Sequence, residues 1–310
     1  MRIFEDISFS RPPLLLAAWP GMGNVGLIAI DYIRRTLGAG TFAELDMSPF
    51  YIPESIVVKD GLACFPEIPS SIFTYTADPP LVIFESNAQI GGAEGIGIIR
   101  MILDFAARFD TAQIVTAAAY AHAMSYQDPC EVLAAANSEE SLRRIAGYGI
   151  KPMPDGLIAG QNGLILGVAN ARSLPALCLL GTIPSWATNL AYPKASREIV
   201  AAVSRIIGAE IDMSDLDESV AEMDTRLGAI EERIRQFFPA ASEEDHDEEL
   251  RTVEEDKVPQ YIMDRIERMF ETVRRDRRAA ASLKEELDRW NLYELYEKRF
   301  LDLFKDSEPQ

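Results

Sequence analysis

Residues 14–26 read LLLAAWPGMGNVG, an apolar run that ends in a glycine-rich turn. The run Leu14–Ala18 has the length and composition of a buried strand, and the residues after the turn, Val25–Leu37, have the apolar spacing of an amphipathic helix. A strand that passes through a tight glycine turn into a helix is the opening unit of many α/β domains. This stretch therefore predicts an α/β domain whose first loop lies at the carboxyl end of a strand.

The glycine turn itself allows two interpretations. Residues 21–26 match the pattern G-x-G-x-x-G through Gly21, Gly23 and Gly26, and Asn24 lies between the second and third glycines. In dinucleotide-binding proteins such glycines let the backbone approach a pyrophosphate. A tight strand-to-helix turn also needs glycine for its own geometry, whether or not a ligand binds. The motif alone leaves both interpretations open.

The remainder of residues 14–208 alternates short apolar runs with helical patterns, which is typical of an α/β fold with a mostly parallel sheet flanked by helices. The further predicted strands are Phe42–Leu45, Ile72–Thr76, Leu81–Phe84, Gln113–Ala118 and Ala176–Leu180, and the further predicted helices are Glu94–Phe109, Ser138–Ala146, Asn162–Ala171 and Ser196–Ile207. A hairpin is also predicted where residues 56–58 and 62–65 flank Lys59-Asp60-Gly61.

Two more polar, glycine-bearing loops precede predicted helices. Residues 85–92 read ESNAQIGG and follow a predicted strand, whereas residues 160–167 read GQNGLILG. The carboxyl ends of parallel strands gather at one edge of a sheet, where ligands bind. We expect the three loops to form one candidate site composed of Gly21, Gly23, Asn24, Gly26, Glu85, Asn87, Gln89, Gly91, Gly160, Asn162 and Gly163.

The residue types in these loops do not favour catalysis or phosphate binding. A phosphate site needs arginine or lysine, and residues 21–26, 85–92 and 160–167 contain neither. The two histidines, His122 and His246, lie far apart in the sequence and have no cysteine or carboxylate cluster with ligand spacing. The sequence therefore predicts no catalytic residues, no metal site and no cofactor.

The string WPGMGNVG at residues 19–26 resembles the opening motif of the PAC2 family, the proteasome assembly chaperone 2-like proteins. The loops at 85–92 and 160–167 resemble the second and third motifs of that family, in the same order, and the resemblance covers roughly residues 10–210. It implies a PAC2-like domain over residues 1–208 with a fold related to purine nucleoside phosphorylases. It also implies homo-oligomeric assembly, with a trimer slightly favoured.

The function that the resemblance implies is that of a non-catalytic chaperone-like protein. Such a protein binds an oligomeric client, with a proteasome-like protease among the candidates, and does not use nucleotide. Two alternatives remain open at this point. One is a nucleoside- or nucleotide-binding protein or enzyme that uses the glycine loops, and the other is a scaffold that only assembles with itself.

Residues 209–310 predict a helical arm. Its first helix carries an apolar heptad seam, and a seam this narrow favours packing against a single partner helix. The seam consists of Leu216, Val220, Met223, Leu227, Ile230, Ile234 and Phe237. Residues 240–257 contain nine acidic and two basic residues and predict a flexible acidic loop. Two amphipathic helices are predicted beyond it, with apolar faces over Ile262–Val273 and Trp290–Phe304. We expect them to pair with the seam as an antiparallel hairpin, within one chain or between subunits.

Composition narrows the class of partner. The formal net charge is -19, and it is concentrated in residues 209–257, which hold 18 acidic and 5 basic residues. Nucleic-acid binding needs a basic face, so this charge argues against it. The three cysteines are widely spaced, and the first residues do not have the pattern of a signal peptide. There is also no apolar run long enough to span a membrane. Together these features predict a cytoplasmic protein without a membrane span.

Overall fold

The computed structural model describes residues 1–53, 55–237, 266, 269, 270, 273, 280–289, 296 and 300. Of residues 230–237, 281, 285, 286, 288 and 289 it describes the backbone only. By their contacts, the residues divide into two compact units, Met1–Phe237 and Phe238–Gln310.

The first unit contains eleven strands and six α-helices among its described residues. The strands are β1 (Arg2–Ile3), β2 (Leu14–Ala18), β3 (Gly40–Glu44), β4 (Val57–Lys59), β5 (Leu62–Cys64), β6 (Ser71–Thr76), β7 (Leu81–Ser86), β8 (Gln113–His122), β9 (Val132–Ala136), β10 (Lys151–Pro152) and β11 (Ala176–Pro184). The helices are α1 (Val25–Thr36), α2 (Gly92–Ala106), α3 (Glu139–Ala146), α4 (Gln161–Asn170), α5 (Pro193–Ile207) and α6 (Ser214–Phe237).

Nine strands form one sheet in the order β1-β3-β6-β7-β2-β8-β11-β9-β10. The four central strands, β7, β2, β8 and β11, are parallel to one another. Antiparallel pairs extend the sheet on both sides, through β6 beside β7 and β9 beside β11. The α/β architecture with a mostly parallel central sheet, as predicted, is confirmed. The hairpin of β4 and β5, also predicted, forms a separate two-stranded sheet.

Helices cover both faces of the central strands, which explains why these strands read as continuous apolar runs. Along β2, Leu16 belongs to the core beneath α1 and α5, whereas the neighbouring Leu15 belongs to the core beneath α2 and α4. The side chains alternate because successive residues of a strand point to opposite faces. This arrangement leaves the carboxyl ends of the central strands free to meet the loops that form the candidate site.

The heptad helix α6 belongs to the first compact unit, which therefore extends past the predicted boundary at residue 208. Leu216 and Leu227 are 3% and 7% exposed and join the core beneath α1 and α5, and Met223 packs against the same core. The described part of the stripe thus packs on the core of the α/β body, and the helix beside it is α5. The side chains of Ile230, Ile234 and Phe237, and the predicted acidic loop, lie outside the described residues.

The second unit contains helix α7 (Ala280–Arg289) and a small apolar core of its own. Phe270 stacks on Tyr296 with ring centroids 5.5 Å apart. The other buried members of this core are Ile266, Val273, Leu283, Leu287 and Phe300. The first predicted face contributes Ile266, Phe270 and Val273, and the second contributes Tyr296 and Phe300. The two faces therefore share one core within this unit, together with Leu283 and Leu287 of α7.

Candidate functional site

The three glycine-bearing loops meet at the carboxyl edge of the central strands. The first loop follows β2, the second follows β7, and the third leads into the amino terminus of α4. In the first loop, the Gly23 amide donates to the Thr188 carbonyl at 2.8 Å, and the Gly23 carbonyl accepts from the Tyr192 amide at 3.0 Å. Gly23 and Asn24 have φ values of 59° and 48°, in the left-handed region. The loop therefore uses its backbone groups to fix the segment that leads into α5.

Asn162 joins the third loop to the first. Its side-chain oxygen accepts from the Trp19 amide at 3.1 Å, and its side-chain nitrogen donates to the Trp19 carbonyl at 3.2 Å. The Thr116 hydroxyl on β8 donates to the Asn162 carbonyl at 2.7 Å. Asn162 is 3% exposed and Trp19 is 1% exposed, so these bonds lie in the interior. Asn162 thus acts as a buried clamp between two loops 143 residues apart in the sequence.

Gln89 and Gln161 join the second loop to the other two. The Gln89 side-chain nitrogen donates to the Pro20 carbonyl, and its oxygen accepts from the Gln161 amide at 2.9 Å. The Gln161 side-chain oxygen in turn accepts from the Ile90 amide at 3.0 Å. Two of the predicted polar side chains, Gln89 and Asn162, are therefore occupied by bonds between the loops.

The other predicted site residues described next are held by bonds or backbone geometry within the protein. Asn87 exchanges two bonds with Ser70, accepting from its amide at 2.8 Å and donating to its carbonyl at 3.1 Å. Gly160 has a φ of 74°, and a Cβ on Gly163 would lie 2.4 Å from the Ile158 carbonyl oxygen. Gly21 and Gly91 precede helical turns, and a Cβ on Gly91 would meet no atom within 4 Å.

Gly26 lets α1 approach the sheet closely. A Cβ at this position would lie 2.0 Å from the carbonyl oxygen and 2.5 Å from the carbonyl carbon of Ala117 on β8. Backbone atoms of a central strand cannot move aside as the end of a flexible side chain can. The third glycine of the G-x-G-x-x-G pattern is therefore required for helix–strand packing without any ligand.

Glu85, at the carboxyl end of β7, pairs with Arg34 of α1. The Arg34 Nε lies 2.5 Å from Glu85 Oε2, and the Glu85 side chain is 9% exposed. Glu85, a predicted member of the candidate site, is therefore engaged by a side chain of α1. Burial raises the pKa of Glu85, and the positive charge of Arg34 opposes that rise. Sequence reasoning missed Arg34, whose only signal was its position on the helix that follows the first glycine loop.

The raised pKa of Glu85 predicts a pH dependence of stability. The native state holds the Glu85 proton more tightly than the unfolded chain, so this group makes the free energy of unfolding fall as pH rises above the ordinary value of 4.5. Glu85→Gln removes this contribution. We expect the stability of the parent relative to Glu85→Gln to decrease between pH 4.5 and pH 7, measured by urea unfolding at each pH. A relative stability that increases over the same range would contradict the assignment.

Cys130, Cys178 and His122 are further side chains whose chemistry bears on catalysis. Burial raises the pKa of the Cys130 thiol to about 11 and that of the Cys178 thiol to about 12, so both are protonated at neutral pH. His122 is the last residue of β8, and its ring centroid lies 5.7 Å from that of Tyr120. Within the part of the chain that the structure describes, no three His, Cys, Asp or Glu side chains are grouped to hold a metal ion.

Arg172 follows the last turn of α4, at the end away from the glycine loops. Arg172 pairs with Asp104 at 2.7 Å, and its other terminal nitrogen lies 3.4 Å from the Arg100 carbonyl. A cavity of about 350 Å³ opens at the opposite, amino edge of the sheet, lined by residues 7–12 and 108–110. The geometry of the glycine loops thus favours a structural clamp over a phosphate cradle.

This assignment predicts that nucleotides leave the melting temperature unchanged. A ligand that binds only the native state stabilises it by mass action. With millimolar NAD, NADP or ATP and magnesium, we expect a change in melting temperature of less than about 1 °C. Differential scanning fluorimetry measures this directly. A rise of more than about 2 °C with any of the three nucleotides would restore the nucleotide-binding interpretation.

Segments next to the carboxyl edge of the sheet expose large apolar side chains to solvent. Among the described residues, fourteen large apolar side chains are exposed, and three of these lie at the amino terminus (Met1, Ile3 and Phe4). The other eleven lie in segments that lead to or from the carboxyl edge: Met22, Ile52, Ile56, Val58, Leu62, Phe65, Ile68, Leu157, Leu164, Trp186 and Leu190. Six of the eleven lie within residues 52–68, and exposed apolar side chains concentrated in this way are typical of a binding face. We call these eleven residues the apolar edge.

Comparison with known proteins identifies the class of protein. The PAC2 family model matches residues 15–231, which is more than two thirds of the sequence, so the chain belongs to the PAC2 family. The matched region includes most of α6, in agreement with the extent of the first compact unit. In the part of the chain that is described, no helix combines the length and the apolar character that crossing a membrane would require.

Particular relatives refine the comparison. The crystal structure of Pyrococcus furiosus PbaB, described as an archaeal proteasome activator, is 26% identical, covers 74% of this chain and 97% of its own, and gives a TM-score of 0.63. P. furiosus PbaA, a homolog of proteasome-assembly chaperone, is 19% identical over 83% of this chain and 99% of its own, with a TM-score of 0.61, and shows the fold alone. An uncharacterized protein of Methanocaldococcus jannaschii, MJ1210, is 23% identical over 80% of this chain and 94% of its own length.

Proposed function

We propose that this chain is a non-catalytic, chaperone-like protein of the cytoplasm that binds an oligomeric protein client through the apolar edge. The observation that carries the proposal is that, among the described residues, eleven of the fourteen exposed large apolar side chains lie in segments that lead to or from the carboxyl edge of the sheet. Interfaces between proteins are built around such apolar centres with polar surroundings. The similarity to PbaB, a proteasome activator, makes a proteasome-like particle the first client to test.

The chemistry of the loops supports a protein client over a small molecule. Asn162, Gln89 and Gln161 bond to neighbouring loops, which leaves them unable to orient a nucleotide without breaking those bonds. The proposed protein uses no cofactor. We expect it to act as a homo-oligomer, with a trimer slightly favoured by the family resemblance. Several copies would then present several equivalent apolar edges to an oligomeric client.

The test uses two residues of the apolar edge that follow β11. Trp186 and Leu190 are 41% and 44% exposed, so changing both to serine removes apolar surface without opening the core. Purified parent and variant are each mixed with the proteasome core particle purified from the organism that makes this protein. Analytical ultracentrifugation then measures how much of each form sediments with the particle. We expect the parent to co-sediment with the particle and the variant to lose at least about tenfold in affinity. Equal affinity would overturn the role of this edge, and absence of binding by the parent would exclude this client.

A further inference from the structure

The cavity of about 350 Å³ lies at the amino edge of the central sheet, opposite the glycine loops. It forms where two segments lead into neighbouring parallel strands, residues 7–12 before β2 and residues 108–110 before β8. The Ala112 amide donates to the Pro13 carbonyl at 2.9 Å and holds the two segments together. The volume is at the lower end of the range for small-molecule sites, so it suits a compact molecule and not a dinucleotide.

One part of the lining is apolar and consists of Ile7, Phe9, Pro12 and Phe109. The rings of Phe9 and Phe109 meet edge to face with centroids 5.7 Å apart, and the Phe109 ring packs in the same way on the buried Phe105 at 5.5 Å. Aromatic pairs favour this arrangement, so these contacts fix the two rings. The cavity therefore offers a preformed apolar wall to the body of a ligand.

The other part of the lining carries two positive charges, Arg11 and Arg108. The Arg108 guanidinium carbon lies 5.5 Å from the centroid of the Phe105 ring, a cation–π contact that positions the group without neutralising its charge. Within the residues that the structure describes, neither arginine forms an ion pair, although the chain has a formal charge of -19. Both guanidinium groups are therefore available to an anion from outside the chain, and the neighbouring Ser8 and Ser10 add hydroxyl donors.

Asp110 is the one carboxylate among the lining residues. It lies beyond ion-pair distance from both arginines, since neither pairs with a carboxylate of the described chain. The lining thus combines two positive charges with one negative charge. The excess of positive charge favours an anion over a cation as the ligand.

We infer that this cavity binds a small organic anion, with its oxyanion group on Arg11 and Arg108 and its apolar body against Phe9 and Phe109. Guanidinium groups recognise carboxylates and phosphates through the same paired N–H donors, so both kinds of anion share the required chemistry. The cavity is separate from the apolar edge and uses none of its residues. The inference therefore goes beyond the proposed function and stands or falls without any client.

The first test compares probes that share one ring and differ in charge: benzoate, phenyl phosphate and the neutral benzamide. Each is added to the full chain, labelled with nitrogen-15 in its phenylalanines, at up to about 10 mM and at low salt, where exposed charges are least screened. The amide signals of Phe9 and Phe109, assigned through Phe9→Leu and Phe109→Leu, report binding in the cavity itself. We expect a Kd of about 1 mM or lower for at least one of the anions, and at least about tenfold weaker binding of benzamide.

The order of affinity of benzoate and phenyl phosphate shows whether the cavity prefers a carboxylate or a phosphate, and either order supports the inference. If neither anion shifted the signals of Phe9 and Phe109, or if benzamide bound as tightly as the anions, the inference would be overturned.

The second test changes the charge of the lining in both directions. Arg11→Gln and Arg108→Gln should each weaken binding of the better anion at least about tenfold, because a charge-assisted hydrogen bond is lost. Asp110→Asn should strengthen it about two- to fivefold, since it removes the opposing charge. Asparagine also tolerates the φ of 52° at this position.

The matched control is Arg205→Gln, an exposed cation on α5 whose loss changes the net charge by the same amount. We expect its affinity to stay within about twofold of the parent. Arg11, Arg108, Asp110 and Arg205 are all exposed, so each variant should fold and melt within about 2 °C of the parent. Equal loss of binding in Arg205→Gln and Arg11→Gln, or unchanged or weaker binding by Asp110→Asn, would overturn the inference.

Discussion

Asn162→Ala is expected to lower the free energy of unfolding by about 3 kcal/mol, because it leaves the buried amide and carbonyl of Trp19 without partners. Each buried backbone group that loses its partner costs about 1–3 kcal/mol, which is more than the bond contributes when it is made. Urea unfolding followed by tryptophan fluorescence would measure the loss, and Trp19 is itself a reporter of the site.

The matched control is Asn170→Ala, at the other end of α4, where the side chain is exposed. We expect this change to stay within about 0.5 kcal/mol of the parent. If Asn162→Ala were equally mild, the bonds between the first and third loops would not be what holds the site together. The loops would then be free to accept a ligand.

Gly26→Ala is expected to have the larger effect. Its methyl group would overlap the carbonyl of Ala117, 2.0 Å away, so α1 must move off the sheet or β8 must bend. Overpacking of this kind costs roughly 1–3 kcal/mol when side chains can adjust, and we expect more than about 4 kcal/mol here because only backbone is in contact. Loss of soluble, folded protein on expression would be the extreme form of this result.

Gly97→Ala, in α2, provides the matched control. A Cβ at Gly97 meets no atom within 4 Å, so the only effect is the better helix propensity of alanine. We expect this variant to gain about 0.5–1 kcal/mol, measured in the same unfolding experiment. If Gly26→Ala were as stable as Gly97→Ala, the third glycine would have no packing role. The phosphate-binding interpretation of the motif would then again explain why glycine stands at this position.

Much of the fold followed from local pattern. The strand Leu14–Ala18 has the predicted bounds. The predicted helix Ser138–Ala146 is found as α3, where the Ser138 hydroxyl oxygen caps the amino terminus by accepting from the Ser141 amide at 3.2 Å. These features depend on residues close together in the sequence. The strands β9 and β10 were not predicted, because Val132–Ala136 reads VLAAA, in which alanine favours helix, and β10 has only two residues.

The sequence predicts which loops form the candidate site, but it does not predict what their side chains bind. The three glycine loops do meet, as the common edge of parallel strands required, yet Asn162 and Gln89 bond to the loops and not to a ligand. The hydrogen-bond partner of a polar side chain depends on distances between residues that are far apart in the sequence. These distances cannot be read from the sequence. The same limit applies to the apolar edge, since residues such as Leu62 and Phe65 look like core residues until their exposure is known.

The most direct measurement of the central claim compares what three forms of the tagged protein retain from the native cell. Quantitative mass spectrometry would follow the parent, the edge variant Trp186→Ser with Leu190→Ser, and the control Ile3→Thr with Phe4→Thr. We expect the parent and the control to retain the same oligomeric protein in stoichiometric amount, and the edge variant to lose at least about nine tenths of it. Equal recovery with all three forms, or no specific protein with any of them, would contradict a client-binding role for the apolar edge.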